Sequence, residues 1–595
     1  MTQISQSIAV IILSLLVAGL TIGSLVGYVT FQTGLSRREL EIVYPITSCD
    51  SLTQIDLTDV GGNKSSITEA HETMSNNITV CSVKGTLEPA VNFRVLLPLN
   101  TWTQRYLQVG CSGLCGSITL RSGASDGCQL LMNGGFAMAA TDMGHSFADN
   151  SSWGLDTQKR VDFAYRAQHI TSRAVRKIIR KFYGQSERYS YFNGCSDGGR
   201  EALMEAQRYP GDFDGIIAGA PAMLFQVQNT IYHAWQYRSN TDENNKVILL
   251  SAKLPILHQA VLDECDILDG VKDGLISNPA ACKFDPRSIQ CLANTTKATK
   301  CLTVAEVDVV RKLYTGPQDS QTGAYLTPGQ PLYGSEIQWR GVFVSDSPDQ
   351  LFLSGRVPLP ILRYLAFTTP MPHLTMKDVS FTYETVDALR PRHPLFDASN
   401  TKLQAFAATG RKLIIWHGMA DPHISPSCTE EYYNALLRDL GQEQVSNFVR
   451  FYLLPGMGHC AGGQGLNSVD FLTAMVAWVE EGKAPDEIMA SNTGKPSSFG
   501  QFIDAASGMP RGPGPGPGPG PGPGPGPGRP QPMDASPKLP NMTRPIYPYP
   551  FVSRYTGEGD IYNGTNWKKG SREDYIATRK WYGDDFIGRY DFVNQ

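Results

Sequence analysis

The residue pattern with the clearest chemical potential is Gly194-Cys-Ser-Asp-Gly-Gly199. A Gly-x-Ser-x-Gly sequence at a sharp strand-to-helix turn holds the serine hydroxyl at the edge of a sheet, where it can attack a carbonyl carbon. Glycine is needed there because a Cβ would clash with the neighbouring backbone. The pattern predicts that Ser196 is a nucleophile. The alternative is an ordinary glycine-rich turn with a solvent-facing serine.

Such a serine needs a histidine base and an acid that orients it, and in this type of site the acid and then the histidine follow the serine along the chain. Asp421 and His459 fit this order, since each lies in a turn directly after a late apolar run. Asp142 is the best alternative acid, but it precedes the serine. Three other histidines near predicted element ends are interpreted as structural: His145, His169 and His417.

The same chemistry needs two backbone N–H groups about 3 Å from the developing negative charge. The N–H of Asp197, directly after the nucleophile, is the first predicted donor. The glycine-rich segment 110–116 follows an early apolar run, and Gly113 within it is the second. Because this segment also holds two cysteines, a disulfide-bearing turn is the alternative interpretation.

The elements that would position these groups alternate between apolar runs and amphipathic patterns. Helical patterns cover 161–183 and 200–209. The strand-like runs begin at Val91, Arg105, Phe136, Tyr189, Lys412 and Phe448. Continuous apolar strands separated by helices predict the α/β class, with a mostly parallel sheet covered by helices on both faces. The stretch 222–405, richer in loops, proline and cysteine pairs, predicts a large insertion into that sheet domain.

Charge and composition restrict the function. The 52 Lys and Arg residues against 56 Asp and Glu give a net charge of −4, which excludes the basic surface of a general nucleic-acid-binding protein. Hydrophobic residues make up 41% of the chain, so it is not wholly disordered. No nucleic-acid partner is expected.

The N-terminal region predicts export. Residues 8–29 form an uncharged apolar run that is long enough to span a bilayer. The arginines at 37 and 38 follow it, and the positive-inside rule taken alone would place the rest of the protein in the cytoplasm. Twelve cysteines and six Asn-x-Ser/Thr sequons favour an extracellular protein instead, either cleaved or tethered through 8–29. The sequons begin at Asn63, Asn77, Asn150, Asn294, Asn541 and Asn563.

Three motifs together resemble the tannase and feruloyl esterase family: Gly194-Cys-Ser-Asp-Gly-Gly-Arg, Trp416-His-Gly-Met-Ala-Asp-Pro and Gly458-His-Cys. The resemblance covers roughly 49–504. It implies an α/β-hydrolase fold with a lid inserted between serine and acid, and a disulfide between Cys195 and Cys460 that ties the two catalytic loops together.

The resemblance also explains a loop with three carboxylates at close spacing. It implies a structural Ca²⁺ bound by the side chains of Asp266, Asp269 and Asp273 and by the carbonyls of Val271 and Leu275. A pair of Asp-Gly turns without metal is the alternative. Cys265–Cys282 and Cys291–Cys301 are expected as short-range disulfides in the same insertion, while the pairing of the other six cysteines stays open. No organic cofactor is expected.

The resemblance implies that the protein hydrolyses esters of aromatic acids. The substrates would be small molecules or esters of plant polysaccharides and polyphenols. Feruloyl esters are favoured slightly over galloyl esters, the substrates of a tannase. A different class, a hydrolase-like binding or adhesion protein, remains as the alternative.

The expected organisation has six segments. They are 1–40, a signal peptide or anchor; 45–221 and 406–506, the two parts of the catalytic domain; 222–405, the lid with its calcium loop; 507–540, a flexible insertion rich in Gly and Pro; and 541–595, a C-terminal segment without an expected family cysteine.

Overall fold

A computed structural model describes residues 40–149, 151–293, 298–493, 539–572 and 579–594 of this chain. The apolar run 8–29, the sequon asparagines at 150 and 294, and the Gly-Pro tract lie outside the described residues. Across the described part, no helix is both long and apolar enough to cross a bilayer. From Ile42 onward the described residues belong to one compact unit.

Nine strands form one sheet in the order β1-β2-β3-β5-β4-β6-β7-β8-β9. The strands are β1 (Ser66–Ser75), β2 (Ile78–Leu87), β3 (Val91–Pro98), β4 (Arg105–Val109), β5 (Phe136–Thr141), β6 (Tyr189–Cys195), β7 (Gly215–Gly219), β8 (Lys412–Gly418) and β9 (Val449–Leu454). In this order, all neighbours from β5 through β4 to β9 pair in parallel. The pairs β1–β2, β2–β3 and β3–β5 are antiparallel. The predicted mostly parallel sheet is confirmed, with an antiparallel edge added.

The strand-like runs of the sequence match β3 to β6, β8 and β9 within a few residues. The prediction did not name β1, β2 or β7. The short β7, Gly-Ile-Ile-Ala-Gly, holds only two large apolar residues between glycines, so its pattern also fits a turn. Its pairing with β6 and β8 makes it a strand.

Ten α-helices of seven or more residues occur in the described part of the chain. They are α1 (Ala167–Tyr183), α2 (Asp197–Arg208), α3 (His233–Ser239), α4 (Leu254–Cys265), α5 (Val304–Thr315), α6 (Pro358–Tyr364), α7 (Tyr383–Leu389), α8 (Pro426–Leu440), α9 (Gln442–Phe448) and α10 (Phe471–Glu481). The predicted helix 161–183 is α1 preceded by a π-helical turn, Asp162–Arg166.

Helices cover both faces of the sheet because successive strand residues point to opposite sides. Along β8, Leu413 and Ile415 belong to one hydrophobic cluster, and Ile414 and Trp416 belong to the other. The buried side of α1 joins the first cluster. The buried side of α10 joins the second.

Between β7 and β8 the described chain adds no strand to the nine-stranded sheet. This is the stretch in which the insertion 222–405 is expected, and it contains α3 to α7. After α10, two small antiparallel pairs follow: β10 (Ile488–Ser491) with β11 (Thr543–Ile546), and β12 (Phe551–Tyr555) with β13 (Trp567–Arg572).

Candidate active site

Ser196 occupies the turn between β6 and α2. Its backbone has φ 66° and ψ −121°, a conformation that costs free energy for any residue other than glycine. A Cβ on Gly194 would lie 2.2 Å from the carbonyl oxygen of Gly198, so only glycine fits there. The Ser196 N–H donates to the carbonyl of Gly219, which anchors the turn to β7. This is the strand–turn–helix geometry that the motif predicts.

Asp421 and His459 meet beyond the ends of β8 and β9. Nδ1 of His459 lies 2.7 Å from Oδ2 of Asp421. Asp421 is fully buried, while the His459 side chain is 18% exposed. Gly418 allows the two turns to approach, because a Cβ there would lie 2.5 Å from the carbonyl oxygens of Met457 and Gly458. The structure therefore brings together the predicted acid and base.

The Asp421 carboxylate has further partners that hold it in place. Nε2 of His417 lies 3.1 Å from its Oδ2, and its Oδ1 accepts the N–H groups of His423 and Ile424. Burial alone would raise the pKa of Asp421, but the charge of His459 and hydrogen bonds from His417 and His459 outweigh it and hold the pKa below its ordinary value. Asp421 thus stays ionised and can orient the His459 imidazole.

A disulfide connects the nucleophile turn to the histidine turn. Cys195, directly before Ser196, is bonded to Cys460, directly after His459, with an S–S distance of 2.05 Å. The bond spans 265 residues of sequence and limits how far the two turns can separate.

Two backbone regions offer free N–H groups near Ser196. In the described part of the chain, the N–H of Asp197 has no protein acceptor, whereas that of Gly198 donates to the carbonyl of Cys111. In the glycine-rich segment, the N–H groups of Gly110 and Cys111 are bonded within the protein. Those of 112–114, including the predicted Gly113, have no acceptor among the described residues. Gly113 is exposed, with φ +63°.

The glycine-rich segment is also a disulfide-bearing turn, because Cys111 is bonded to Cys115. A donor role for Gly113 and a disulfide in the same turn are therefore compatible. Nε2 of His145 lies 2.7 Å from the carbonyl oxygen of Leu114, and its ring stacks on Trp153 at 4.0 Å between centroids. His145 is thus structural, as predicted, and it supports the turn that carries Gly113.

Asp142, His169 and His417 also have structural partners. Asp142 accepts hydrogen bonds from the backbone and side chain of Asn92. His169 lies 2.6 Å from Asp212. His417 is structural too, but its partner is the proposed catalytic acid.

Sequence reasoning missed two buried charged residues in α2, the helix that follows the predicted nucleophile. Arg200 is fully buried and holds the Asp197 carboxylate through two hydrogen bonds, at 2.7 and 3.0 Å. Its guanidinium lies 4.5 Å from the ring centroid of Phe163. Glu201 accepts hydrogen bonds from the N–H of Cys111 and the amide of Gln168. Burial, then the charge of Asp197, raises the pKa of Glu201 to about 8.

Two further cysteine pairs match the expected bonds, Cys265–Cys282 and Cys291–Cys301. The structure also pairs Cys49 with Cys81, and it leaves Cys128 and Cys428 as buried free thiols. In the described part of the chain, the ligand atoms of Cys111, Cys115, Asp197 and Glu201 lie within 4.8 Å of one another. Cys111 and Cys115 are bonded to each other, and Asp197 is paired with Arg200, so we assign no metal to these four residues.

The acidic loop follows α4. Asp266 accepts the N–H groups of Asp273 and Gly274, and the second carboxylate oxygen of Asp273 is paired with Arg544. Oδ2 of Asp269 is buried without a hydrogen-bond partner. Burial, then the charge of Asp273, raises the pKa of Asp269 to about 6. A buried oxygen lacking a partner beside two further carboxylates fits a hard cation such as Ca²⁺.

Comparison with known proteins gives the family. The family described as "Tannase and feruloyl esterase" matches residues 75–569. A mono(2-hydroxyethyl) terephthalate hydrolase of Piscinibacter sakaiensis is 31% identical over 542 residues, 80% of this chain and 81% of that protein. A probable feruloyl esterase B-2 of Aspergillus flavus is 31% identical over 424 residues, 67% of this chain and 76% of that protein.

The fold matches as well. The crystal structure of feruloyl esterase B from Aspergillus oryzae aligns with a TM-score of 0.70 at 23% identity, covering 88% of this chain and all of that one. A tannin acyl hydrolase from Aspergillus niger aligns with a TM-score of 0.60 at 20% identity, covering 86% and 90%. The chain therefore belongs to the tannase and feruloyl esterase family and is a carboxylic ester hydrolase with the α/β-hydrolase fold.

Proposed function

We propose that this protein is an exported serine esterase that cleaves esters of aromatic acids through an acyl-enzyme intermediate, with feruloyl esters as its preferred substrates. The observation that carries the mechanism is the contact between His459 Nδ1 and Asp421 Oδ2, together with the disulfide that links the His459 turn to the Ser196 turn.

The reaction begins when the Ser196 hydroxyl attacks the ester carbonyl and Nε2 of His459 takes its proton. Asp421 stabilises the imidazolium that results. The backbone N–H groups of Asp197 and Gly113 stabilise the negative oxygen of the tetrahedral intermediate. His459 then donates its proton to the departing alcohol, and a water molecule releases the acid from Ser196 by the same steps.

The names of the relatives support an aromatic acyl group. The two relatives compared by sequence are named for a terephthalate ester and for feruloyl esters. Each of these acids carries its carboxyl group on, or conjugated to, a benzene ring. The feruloyl preference is the finer part of the proposal, and galloyl esters are its competitor.

An assay panel tests the function. Wild type, Ser196→Ala and the surface control Ser186→Ala are given methyl ferulate, methyl gallate and chlorogenic acid. We expect wild type and the control to hydrolyse methyl ferulate with the highest kcat/KM, and Ser196→Ala to lose at least about 1,000-fold in kcat. The proposal fails if wild type hydrolyses none of the esters, or if Ser196→Ala equals it. A preference for methyl gallate would instead identify a tannase.

Export is supported by the five disulfides of the described chain, since disulfides persist in oxidising compartments. Expression in a secreting eukaryotic host should release the protein into the medium, with a mass that falls after treatment with an N-glycosidase. Retention in the reducing cytoplasm without glycans would contradict export.

A structural Ca²⁺ ion is the remaining part of the proposal. We propose that the side chains of Asp266, Asp269 and Asp273 and the carbonyls of Val271 and Leu275 bind it, supported by the unpartnered Oδ2 of Asp269. Bound Ca²⁺ stabilises the folded state, so chelation should lower Tm and added Ca²⁺ should restore it. The variant Asp269→Asn should show a smaller response. An unchanged Tm with no calcium detected by elemental analysis would contradict the site.

A further inference from the structure

His423 lies two residues after the catalytic acid, and its ring stacks on the ring of His459. The two centroids are 4.6 Å apart and the planes are inclined by 25°. The N–H of His423 donates to Oδ1 of Asp421 at 2.8 Å, so the same carboxylate holds both residues. His423 is therefore fixed against one face of the catalytic imidazole.

The inserted region holds this turn from the other side. The amide of Gln228 donates to the carbonyl of His423, and that of Gln236 donates to the carbonyl of Pro422 at 3.2 Å. Gln228 belongs to a π-helical turn, Gln228–Tyr232, a feature that often marks functional sites. The backbone contacts place the His423 ring without using either of its ring nitrogens.

Those ring nitrogens are available to a ligand. In the described part of the chain neither has a protein hydrogen-bond partner, and the residue is partly exposed. Burial lowers the pKa of His423 well below its ordinary value, and the charges of His459 and His233 lower it further, against the opposing effect of Asp421. The ring is thus neutral at physiological pH, with one donor and one acceptor nitrogen.

The reaction itself places the alcohol part of the ester beside this ring. The leaving oxygen must receive its proton from Nε2 of His459, so the alcohol begins within hydrogen-bonding distance of that imidazole. We propose that His423 is a specificity-determining residue that contacts the alcohol part of the ester and favours alcohols carrying a further hydroxyl group, such as a glycol, a sugar or a quinic acid.

A hydroxyl group both donates and accepts hydrogen bonds, so it matches the two nitrogens of a neutral imidazole, whereas a methyl group offers neither. The inference rests on the proposed function. It adds to that function a preference on the alcohol side, which is independent of the aromatic acid.

Two esters of one acid test it: methyl ferulate and 2-hydroxyethyl ferulate. The measured quantity is the ratio of kcat/KM for the hydroxyethyl ester to kcat/KM for the methyl ester. His423→Phe keeps an aromatic ring against His459 but removes both nitrogens, so we expect the ratio to fall about 3- to 10-fold, mainly through KM, as for the loss of one hydrogen bond. His423→Gln, which keeps a donor and an acceptor, should retain more of the wild-type ratio than His423→Phe.

The same data separate the two proposals. If wild type hydrolyses neither ester, the proposed function fails. If wild type hydrolyses both and the ratio is the same in wild type, His423→Phe and His423→Gln, only the role of His423 is overturned. Should His423→Phe not fold, a ratio in His423→Ala equal to that of wild type would overturn it.

Discussion

Glu201 is a single buried residue, outside the proposed catalytic triad, whose titration is expected to make folding stability depend on pH. Its pKa is raised, so the folded state keeps a proton that the unfolded state releases between about pH 4.5 and 8. In that window the contribution of Glu201 to folding stability falls as the pH rises, by at most about 1.4 kcal/mol per pH unit, and it is most favourable below the unfolded pKa.

Glu201→Gln should remove this dependence because the amide does not titrate. We expect urea unfolding free energies measured from about pH 5 to 8 to fall less steeply for Glu201→Gln than for wild type. Glu443→Gln, at an exposed helical position, is the control and should follow wild type. Equal slopes for wild type and Glu201→Gln would contradict the raised pKa.

At this scale, sequence reasoning yields a prediction where a residue type has a fixed position in a motif. Ser196, Asp421 and His459 follow a chain order and lie at strand ends, and both signals are present in the sequence. Arg200 and Glu201 carry no such signal, because charged residues in the first turns of a helix normally indicate a solvated face. Tertiary packing buries them: Glu201 accepts the N–H of Cys111 in the glycine-rich segment, and Arg200 donates to the carbonyls of Phe163 and Ala164.

The Cys195–Cys460 disulfide acts at the scale of elements, since it ties the β6–α2 turn to the turn after β9. In the chain-entropy model its long loop stabilises the protein by about 5–6 kcal/mol at most, against about 3 kcal/mol for the short Cys291–Cys301 loop. Its second effect is geometric, because it limits the separation of Ser196 and His459.

Replacing both cysteines by serine should therefore reduce kcat even under conditions where the variant is folded. We expect a loss of at least about 10-fold, because small misplacements of reacting groups are costly. The matched control is the Cys291→Ser/Cys301→Ser pair, which should lower Tm and leave kcat near the wild-type value. Equal kcat in the two folded pairs would show that the first disulfide only stabilises.

The parallel strands other than β7 were predictable from apolar runs, and the helices α1 and α2 from periodicity. The antiparallel β1 and β2 were not named, and the links from Gln228 and Gln236 to the acid turn depend on tertiary contacts across a long insertion. Local patterns do not contain such contacts.

At the scale of the whole molecule, the described residues on either side of segment 494–538 lie next to each other. Ser491 pairs with Thr543, and Asn492 bonds to Met542 and Pro540. A short connection could therefore join β10 to β11 without changing their pairing. If the segment behaves as the flexible chain that its Gly-Pro composition predicts, shortening it to about four residues is worth up to about 2 kcal/mol in loop entropy.

Replacing 494–538 by a four-residue turn should leave kcat/KM for methyl ferulate within about 2-fold of wild type and keep or raise the unfolding free energy. Denaturant titration and the ester assay measure both. A large loss of activity in a folded variant would show that the segment takes part in substrate binding.

The proposed mechanism depends on Ser196 being the nucleophile of an aryl esterase. The most direct measurement is labelling with an alkyl fluorophosphonate, followed by intact-mass and peptide analysis and by the methyl ferulate assay. We predict one adduct per chain on Ser196, loss of hydrolysis in proportion to labelling, and no adduct in Ser196→Ala. Labelling at another residue, or full hydrolysis by protein labelled on Ser196, would contradict a nucleophilic role for Ser196.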